Sequence, residues 1–550
     1  MTSSHRAVDL GQAEIDALRE ELVSTEMPES LGVFCAEQAQ AFNNATAIDY
    51  FQLGIRLSYR EIHIRSNRIA ANLLKQGYRK GAHIAVMLPN SPASVLVWFA
   101  IMKIGVVIVP VNTAYGGKEL DYLINQSDAQ ALIIHEWYLP ALEEMAARPD
   151  LLGTPFVIGE ADAGSLEEGG ELNHFDPGYP IAATDLANLQ YTSGTTGFPK
   201  GCMLTHDYWL LLSHSIAAMH RSYGSKRLFF WAPFFYMDGQ WSFLSAMAVG
   251  GTAIIASKMS LTSFLDWLRE HDAHYCVLPE PILKKLPLAP DDASLPVKFA
   301  HTFGWRPSAR AEAENRFNLV ARDGFGMTEV GPAMICPKAA GKKLELNTCG
   351  LAAPFRQTRV VDELGNECPP GVSGELQIRG RAIMLGYYKR PDANAESFDG
   401  DWLRTGDLFI KDEDGYHRIV GRLKEMIKRA GENISASEVE AAMREAPQIA
   451  EAAAISVPDE MRREEVMLLV KLADGVDQKE MSPQSVAEHA ACLAVFKRPR
   501  YLAYVRDFPR TPTNKIAKSR ITLDDLDSAV FDLSSMSELS TEAAGALIGK

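Results

Sequence analysis

What the chain lacks narrows the field first. Its 550 residues include only seven cysteines, Cys35, Cys202, Cys276, Cys336, Cys349, Cys368 and Cys492, and none form a C-x-x-C pair. That spacing excludes a disulfide framework and a zinc cluster of the usual pattern, and the expectation is reduced thiols in a cytoplasmic protein. Basic excess is also missing. The formal net charge is -15, so the composition offers no broad basic face to a nucleic acid, although a local patch could still hold a small phosphorylated molecule. No apolar run is long enough for a membrane span. The most apolar stretch, residues 95–109, falls short of the ~18–20 residues required and is broken by Lys103 and Gly105. It reads as a buried helix entering a buried strand. The N-terminus has no apolar segment behind its positive charges, so no secretory signal is expected.

What is present describes a globular enzyme-sized chain, with 47% hydrophobic and 23% charged residues. Its length calls for a large body plus at least one further domain. Through the first three quarters, short β-rich runs such as AHIAVML, VVIVPV and ALIIH alternate with helical patterns such as YREIHIRSNRIAANLLKQG, closed by Gly77. That alternation predicts α/β architecture: a large N-terminal domain over residues 1–420, with helix-covered, mostly parallel sheets. After about residue 348, short strands separated by Gly- and Asp-rich turns predict a small β-barrel-like part of the same domain. A hinge over residues 421–424 leads to a small, mobile α+β domain over residues 425–527, with helices near Ser437 and over residues 486–496. The tail, residues 528–550, has no convincing period and is expected to be loosely ordered.

The segment YTSGTTGFPKG, residues 191–201, carries the strongest chemical signal. It joins a strand (DLANLQ) to a helix (HDYWLLLSHSIAAMH). Gly194, Gly197 and Gly201 would let backbone approach a polyphosphate closely. Thr192, Ser193, Thr195 and Thr196 supply donors, and Lys200 a positive charge. A flexible surface turn has the same composition. It is not a Walker A loop, because Pro199 stands where that motif requires glycine before the lysine.

With four further motifs in order, the chain resembles the adenylate-forming superfamily of acyl- and aryl-CoA synthetases, peptide-synthetase adenylation domains and luciferases, most closely the acyl-CoA synthetases. The motifs are FGMTE (325–329), DWLRTGD (401–407), GRLKEMIKRAGENISASEVE (421–440) and PRTPTNKIAK (509–518). The resemblance implies ATP, Mg²⁺ and coenzyme A as co-substrates and cofactor, and a small-molecule carboxylic acid as partner. It places Phe325 against the adenine, Gly326 and Met327 in the same nucleotide-binding turn, and the Thr328 hydroxyl on phosphate. Glu329 is implied as the Mg²⁺ ligand, a role for which one carboxylate suffices. Asp407 would accept from the ribose hydroxyls, with Arg422 beside it. Lys515 is implied as the adenylation lysine, acting with Lys200, Thr328 and Glu329; Asn514 precedes it where glycine is usual, and Lys518 is the fallback. Lys424 matches the hinge. Lys428, Arg429, Ala430, Gly431 and Glu432 would swing in to guide CoA.

The acid pocket is expected from Trp231, Phe235, Tyr236, Met237, Trp241, Phe303, Gly304, Trp305 and Met334. Tyr236 stands where many CoA ligases have histidine, and the Phe303 and Trp305 rings should narrow the cavity. A small, aryl or arylalkyl acid fits that reading. A carnitine- or betaine-type acid in an aromatic box is the alternative, and Arg306 could meet a second carboxylate. Asp238 lies one residue beyond the position at which amino-acid adenylation domains place an aspartate. Other open readings are a stand-alone enzyme loading a carrier protein, a luciferase-like oxygenase, and a nucleotide-binding protein without activity; the last would lose a key side chain, and none is missing.

Overall fold

Local chemistry starts and stops the elements. Helix Tyr59–Lys75 opens with a reciprocal capping box between Ser58 and Glu61, and Gly77 follows it at φ +99. The computed structural model describes residues 10–145, 149, 152–159, 163–167, 169, 172–192, 199–430, 432–459, 461–511 and 515–548.

Two largely parallel sheets build the large domain. The first runs Phe156–Ile158, Ala131–His135, His83–Met87, Val107–Pro110, Leu186–Thr192, Lys200–Thr205, with only the last pair antiparallel. The second runs Val320–Arg322, Phe299–His301, Tyr275–Val277, Arg227–Phe230, Thr252–Ile255, Thr46–Tyr50, Ile55–Ser58, again antiparallel only at its end. One apolar cluster joins both sheets through Trp98, Trp209 and Phe243 of the intervening helices. Helix Pro92–Lys103 is buried along its whole length. Lys103 stays satisfied there, with Nζ 2.6 Å from Asn67 Oδ1 and 2.8 Å from Ser66 Oγ; burial pushes its ammonium down to about 8.

Antiparallel strands follow: Gly324–Met327, Gly331–Ile335 and Leu351–Ala352, then a sheet of Arg356–Val361, Ser373–Gly380, Phe398–Asp399, Trp402–Lys411 and His417–Arg422. The small domain is centred on Arg463–Leu472, which pairs with Met426–Arg429, Ile449–Asp459 and Tyr501–Tyr504.

Three expectations need correction. The glycine-rich segment does not lead straight into a helix: Lys200–Thr205 is a strand paired antiparallel with Leu186–Thr192. The helix expected over residues 486–496 is Pro483–His489, capped by Ser482, followed by single 3-10 turns. The tail is ordered into the small domain, because Phe531–Asp532 pairs with Tyr501–Tyr504 and Ala544 of helix Thr541–Ile548 is buried in its core. No helix among the described residues is long and apolar enough to cross a membrane.

Candidate active site

The hairpin from Gly324–Met327 to Gly331–Ile335 carries Thr328 and Glu329 between its strands. Its backbone is held at nearly every position. Thr328 O accepts from Tyr208 Oη at 2.9 Å, and Glu329 O from Met384 N at 2.8 Å. Val330 O accepts from Arg356 Nε and Nη2 at 3.1 and 2.6 Å. Asp323, which the sequence did not single out, accepts from Gly324 N at 2.7 Å and Gly304 N at 3.1 Å, tying the hairpin to the HTFG segment. Burial pushes its carboxyl up to about 6. Gly326 has no room for a side chain, since a Cβ would lie 2.7 Å from Gly331 O.

Glu329 is 7% exposed, and its Oε1 accepts from Tyr387 Oη at 2.8 Å. The Tyr387 ring lies under Lys200 Nζ, 4.0 Å from the ring centroid. Pairing of residues 385–388 with strand Lys200–Thr205 brings this tyrosine in: Leu385 N donates to Met203 O, Met203 N to Gly386 O and Tyr388 N to Gly201 O, each at 2.9 Å. Burial, then the Glu329 charge, push the Tyr387 hydroxyl up. Sequence reasoning missed Tyr387, whose only signal was the GYY triplet shortly before helix Pro391–Ser397. Among the described residues no three His, Cys, Asp or Glu side chains group as a metal cage. The single buried carboxylate of Glu329 beside Lys200 fits magnesium held mainly by substrate phosphates.

Asp407 is 3% exposed. Arg422, opposite it on the neighbouring strand, places Nε 3.0 Å from Asp407 Oδ1, yet that oxygen accepts no well-aligned hydrogen bond among the described residues. A buried, unfilled acceptor of this kind suits a sugar hydroxyl. Burial raises the Asp407 carboxyl, and Arg422 and Lys515 pull it back. Phe325 meets Phe409, two residues along the Asp407 strand, edge to face at 4.9 Å.

Lys515 is exposed, and its ammonium lies near enough to pull down both Asp407 and Asp238. Its charge thus reaches two carboxylates of the large domain. Lys518 is spoken for: its Nζ lies 2.6 Å from both Glu425 and Glu440. Lys424 is exposed in the 3-10 turn Leu423–Glu425. Just before it, Ser435 and Ser437 both donate to Val420 O, at 2.5 and 3.0 Å. Gly421 permits that approach, since a Cβ there would lie 2.4 Å from Ser435 Oγ.

The hairpin expected to guide CoA is not gathered with these residues. Lys428 points to Glu363 at 3.5 Å, and Arg429 is bound to Glu465 at 2.8 Å. Ala430 takes a left-handed φ of 50, and Glu432 is exposed.

On the acid side, Thr328 Oγ1 donates to Met237 Sδ at 3.2 Å. Tyr236 Oη accepts from Asn112 Nδ2 at 3.0 Å, and its ring lies 4.5 Å from that of Phe235. Trp241 Nε1 donates to Asp238 Oδ1 at 3.0 Å. Phe303 is 47% exposed and stacks on His301 at 4.9 Å, while Gly304 turns the chain at φ +70. Trp305 and Met334 were expected to line the cavity and instead are core residues, 3% and 2% exposed; Trp305 packs with Phe317 and Ala313 as the next helix begins. Trp231 is half-turned to that core, with Nε1 on Val277 O. Arg306 pairs with Glu280 at 3.8 Å. Ser193, Gly194, Thr195, Thr196, Gly197, Gly431 and Asn514 lie outside the described residues. A separate surface concavity of about 830 Å³, lined by Arg356, Arg379 and Arg381 among others, shares Arg356 with the support of the turn but includes none of Lys200, Thr328, Glu329, Asp407, Arg422 and Lys515.

A body of largely parallel sheets followed by a small α+β domain is the architecture of adenylate-forming enzymes. The chain belongs to the AMP-binding enzyme family: the AMP-binding enzyme model matches residues 35–388, and the model of its C-terminal domain matches residues 438–515. A feruloyl-CoA synthase of Amycolatopsis sp. is 30% identical, over 90% of this chain and 98% of its own. A crotonobetaine/carnitine–CoA ligase of Proteus mirabilis is 29% identical, over 85% of this chain and 93% of its own. The solved structure of ATP-bound MatB from Rhodopseudomonas palustris aligns with a TM-score of 0.79 at 25% identity, covering 89% of this chain and 97% of that one. The activity is that of an AMP-forming acid–CoA ligase using ATP, Mg²⁺ and coenzyme A.

Proposed function

We propose that the chain activates a compact carboxylic acid, small, aryl or arylalkyl, within the first turn of helix Met237–Ala248. The observation that carries this is the contact of Met237 Sδ with the Thr328 hydroxyl at 3.2 Å. It closes the space beside the phosphate-side threonine with a thioether, and Tyr236, pinned by Asn112, supports the same wall. The feruloyl acid named for one relative is of the aryl class.

The roles follow from charge. The acid carboxylate attacks the α-phosphorus of ATP, forming the acyl–phosphate bond as pyrophosphate leaves. Negative charge grows on the phosphoryl oxygens, where the Lys515 ammonium and the Thr328 hydroxyl stabilise it more in the transition state than before. Glu329, positioned by Tyr387, would hold Mg²⁺, which supplies charge neutralisation to the leaving phosphates; Lys200 adds a second positive charge. Asp407 and Arg422 orient the ribose, and Phe325 lies along the base. In the second step the CoA sulfur attacks the acyl carbon and AMP departs, with residues 428–432 guiding the thiol after the small domain turns about Lys424. Pyrophosphate release across fatty, aryl, small and betaine-type acids, with and without CoA, tests this reading. Turnover confined to compact acids and yielding a thioester supports it, whereas a preference for long fatty chains overturns the size assignment.

A further inference from the structure

Three successive carbonyls of the turn that carries Thr328 and Glu329 are held by groups that border the arginine-lined concavity. Val330 O is held by Arg356, which lines it. Glu329 O is held by Met384 N, and the preceding residue, Ile383, lines it too. Thr328 O is held by Tyr208 in the first turn of helix His206–Ser222. The neighbour of Tyr208, Asp207, is gripped by Arg381 of the concavity wall, with Nε on Oδ2 at 2.9 Å and Nη2 on Oδ1 at 2.5 Å.

The wall itself suits an anion. Arg19, Arg356, Arg379 and Arg381 line it, and Asp401 is its only acidic residue. Arg356 is 5% exposed, and its partners are backbone carbonyls: Val330 O, Arg381 O at 2.5 Å and Phe355 O at 3.4 Å. No carboxylate lies within 4.0 Å of it among the described residues, so this buried charge lacks a counter-ion. Arg19 and Arg379 are loosely paired, 3.9 Å from Asp16 and 3.5 Å from Asp401. Arginines among aspartates are usually a solvated ion-pair array. That describes Arg359 with Asp399 at 2.7 Å nearby, but not Arg356. Phe355 also lines the concavity, at a φ of +62, a left-handed backbone that bulky residues rarely adopt. Glycine would make the same turn without strain, so the turn alone does not account for a part-buried ring there.

We propose that this concavity binds a small organic phosphate with a flat apolar body, and that its occupation loosens the 324–331 turn and slows adenylation. Phosphate oxygens match the guanidinium forks, and Phe355 and Phe398 offer surface to the flat body. A volume of about 830 Å³ lies in the range of small-molecule sites. The anion draws Arg381 from Asp207 and Arg356 from Val330 O, so the supports of Thr328 O and Val330 O weaken together.

Calorimetry on the full-length protein, with the ATP site filled by α,β-methylene ATP and Mg²⁺, tests the site without turnover. The probes are naphthyl phosphate, AMP and inorganic phosphate. Naphthyl phosphate should bind roughly tenfold or more tightly than inorganic phosphate, which has no apolar body. AMP tighter than naphthyl phosphate identifies a nucleotide as the occupant, and the reverse another aromatic ester; either supports the site. Arg379→Gln and Phe355→Gly should each weaken naphthyl phosphate about tenfold. Saturating naphthyl phosphate should lower kcat for pyrophosphate release about fivefold or more at constant KM for ATP. Arg379→Gln should keep the uninhibited rate and need more probe for the same inhibition. No binding with the ATP site filled, or binding equally strong in both variants, overturns the site. Inhibition that only raises the KM for ATP belongs to the active site and overturns the coupling, as does binding that leaves kcat unchanged. Inactivity with every acid overturns the ligase reading and the coupling together, while calorimetry still decides the site.

Discussion

The turn over residues 324–331 and the loop over residues 509–518 carry residues proposed for one reaction, yet they are built on opposite principles. In the turn, Thr328, Glu329 and Val330 each have a carbonyl held by a partner from another element, and Glu329 has its side chain held as well. In the loop, Lys515 is anchored by its backbone, with N on Thr511 Oγ1 at 3.1 Å, while its side chain is exposed. Lys518, three residues on, is the reverse, fixed between two glutamates. A group that serves one geometry throughout can be clamped at no loss. A group that must arrive for one half-reaction and leave for the next has to keep its charge unspent.

The largest test of that contrast is Lys515→Ala. Pyrophosphate release should fall roughly a hundred- to a thousandfold, the scale of removing one preorganised charge from a transition state. Thioester formation from supplied acyl-adenylate and CoA should persist. Equal loss of both half-reactions would mean that Lys515 is a structural part of the cleft.

On the clamped side, Asp323 makes the turn sensitive to pH. Its carboxyl is pushed up to about 6 from an ordinary 3.8. The neutral form is therefore favoured by folding: the associated stability is full below pH ~4 and lost as pH rises through ~6, by about 3 kcal/mol at most. Asp323→Asn should flatten the dependence of the thermal midpoint on pH across that interval, with some overall loss because an amide cannot accept from both Gly304 N and Gly324 N. Parallel midpoint curves for the two proteins would remove Asp323 as the source.

Lys518→Met separates the two lysines of the loop. It should cost about 1–3 kcal/mol of stability by leaving Glu425 and Glu440 facing each other, while adenylation continues. Urea unfolding followed beside pyrophosphate release distinguishes this from a catalytic role; a stable but inactive variant would exchange the assignments of Lys515 and Lys518.

Much of this was legible in the residues. The strand and helix alternation, the capped helix at Ser58 and the order of motifs all depend on local pattern, and local pattern survives in a sequence. What stayed hidden depends on pairing across distance. Strand Lys200–Thr205 is specified by its partners at residues 186–192 and 385–388, not by its own composition. The tail becomes ordered because Tyr501 and Leu502 offer it a strand edge. Trp305 looked like a pocket ring because rings near an active-site motif can be either wall or core, and only packing decides which. The motif singled out Lys515 over Lys518, but the pairing that fixes Lys518 could not be read from PTNKIAK, because Glu425 and Glu440 lie about 75 to 95 residues away in sequence.

Tyr387 is the finest probe of the clamped region, because its two contacts can be separated chemically. Its ring underlies Lys200 at 4.0 Å, and its hydroxyl donates to Glu329 Oε1 at 2.8 Å. Tyr387→Phe keeps the first and deletes the second, leaving a buried carboxylate one donor short. Loss of a hydrogen bond to a charged group is worth about 1.5–3 kcal/mol, but Mg²⁺ held at Glu329 would compensate part of it. The expected result is therefore a fall of about tenfold in pyrophosphate release at low Mg²⁺, narrowing as Mg²⁺ is raised. Tyr387→Leu, which also removes the ring, should show an additional rise in the KM for ATP as Lys200 loses its support. If Tyr387→Phe lost activity equally at every Mg²⁺ concentration, the hydroxyl would be holding the backbone of the turn, and the metal role proposed for Glu329 would lose this support.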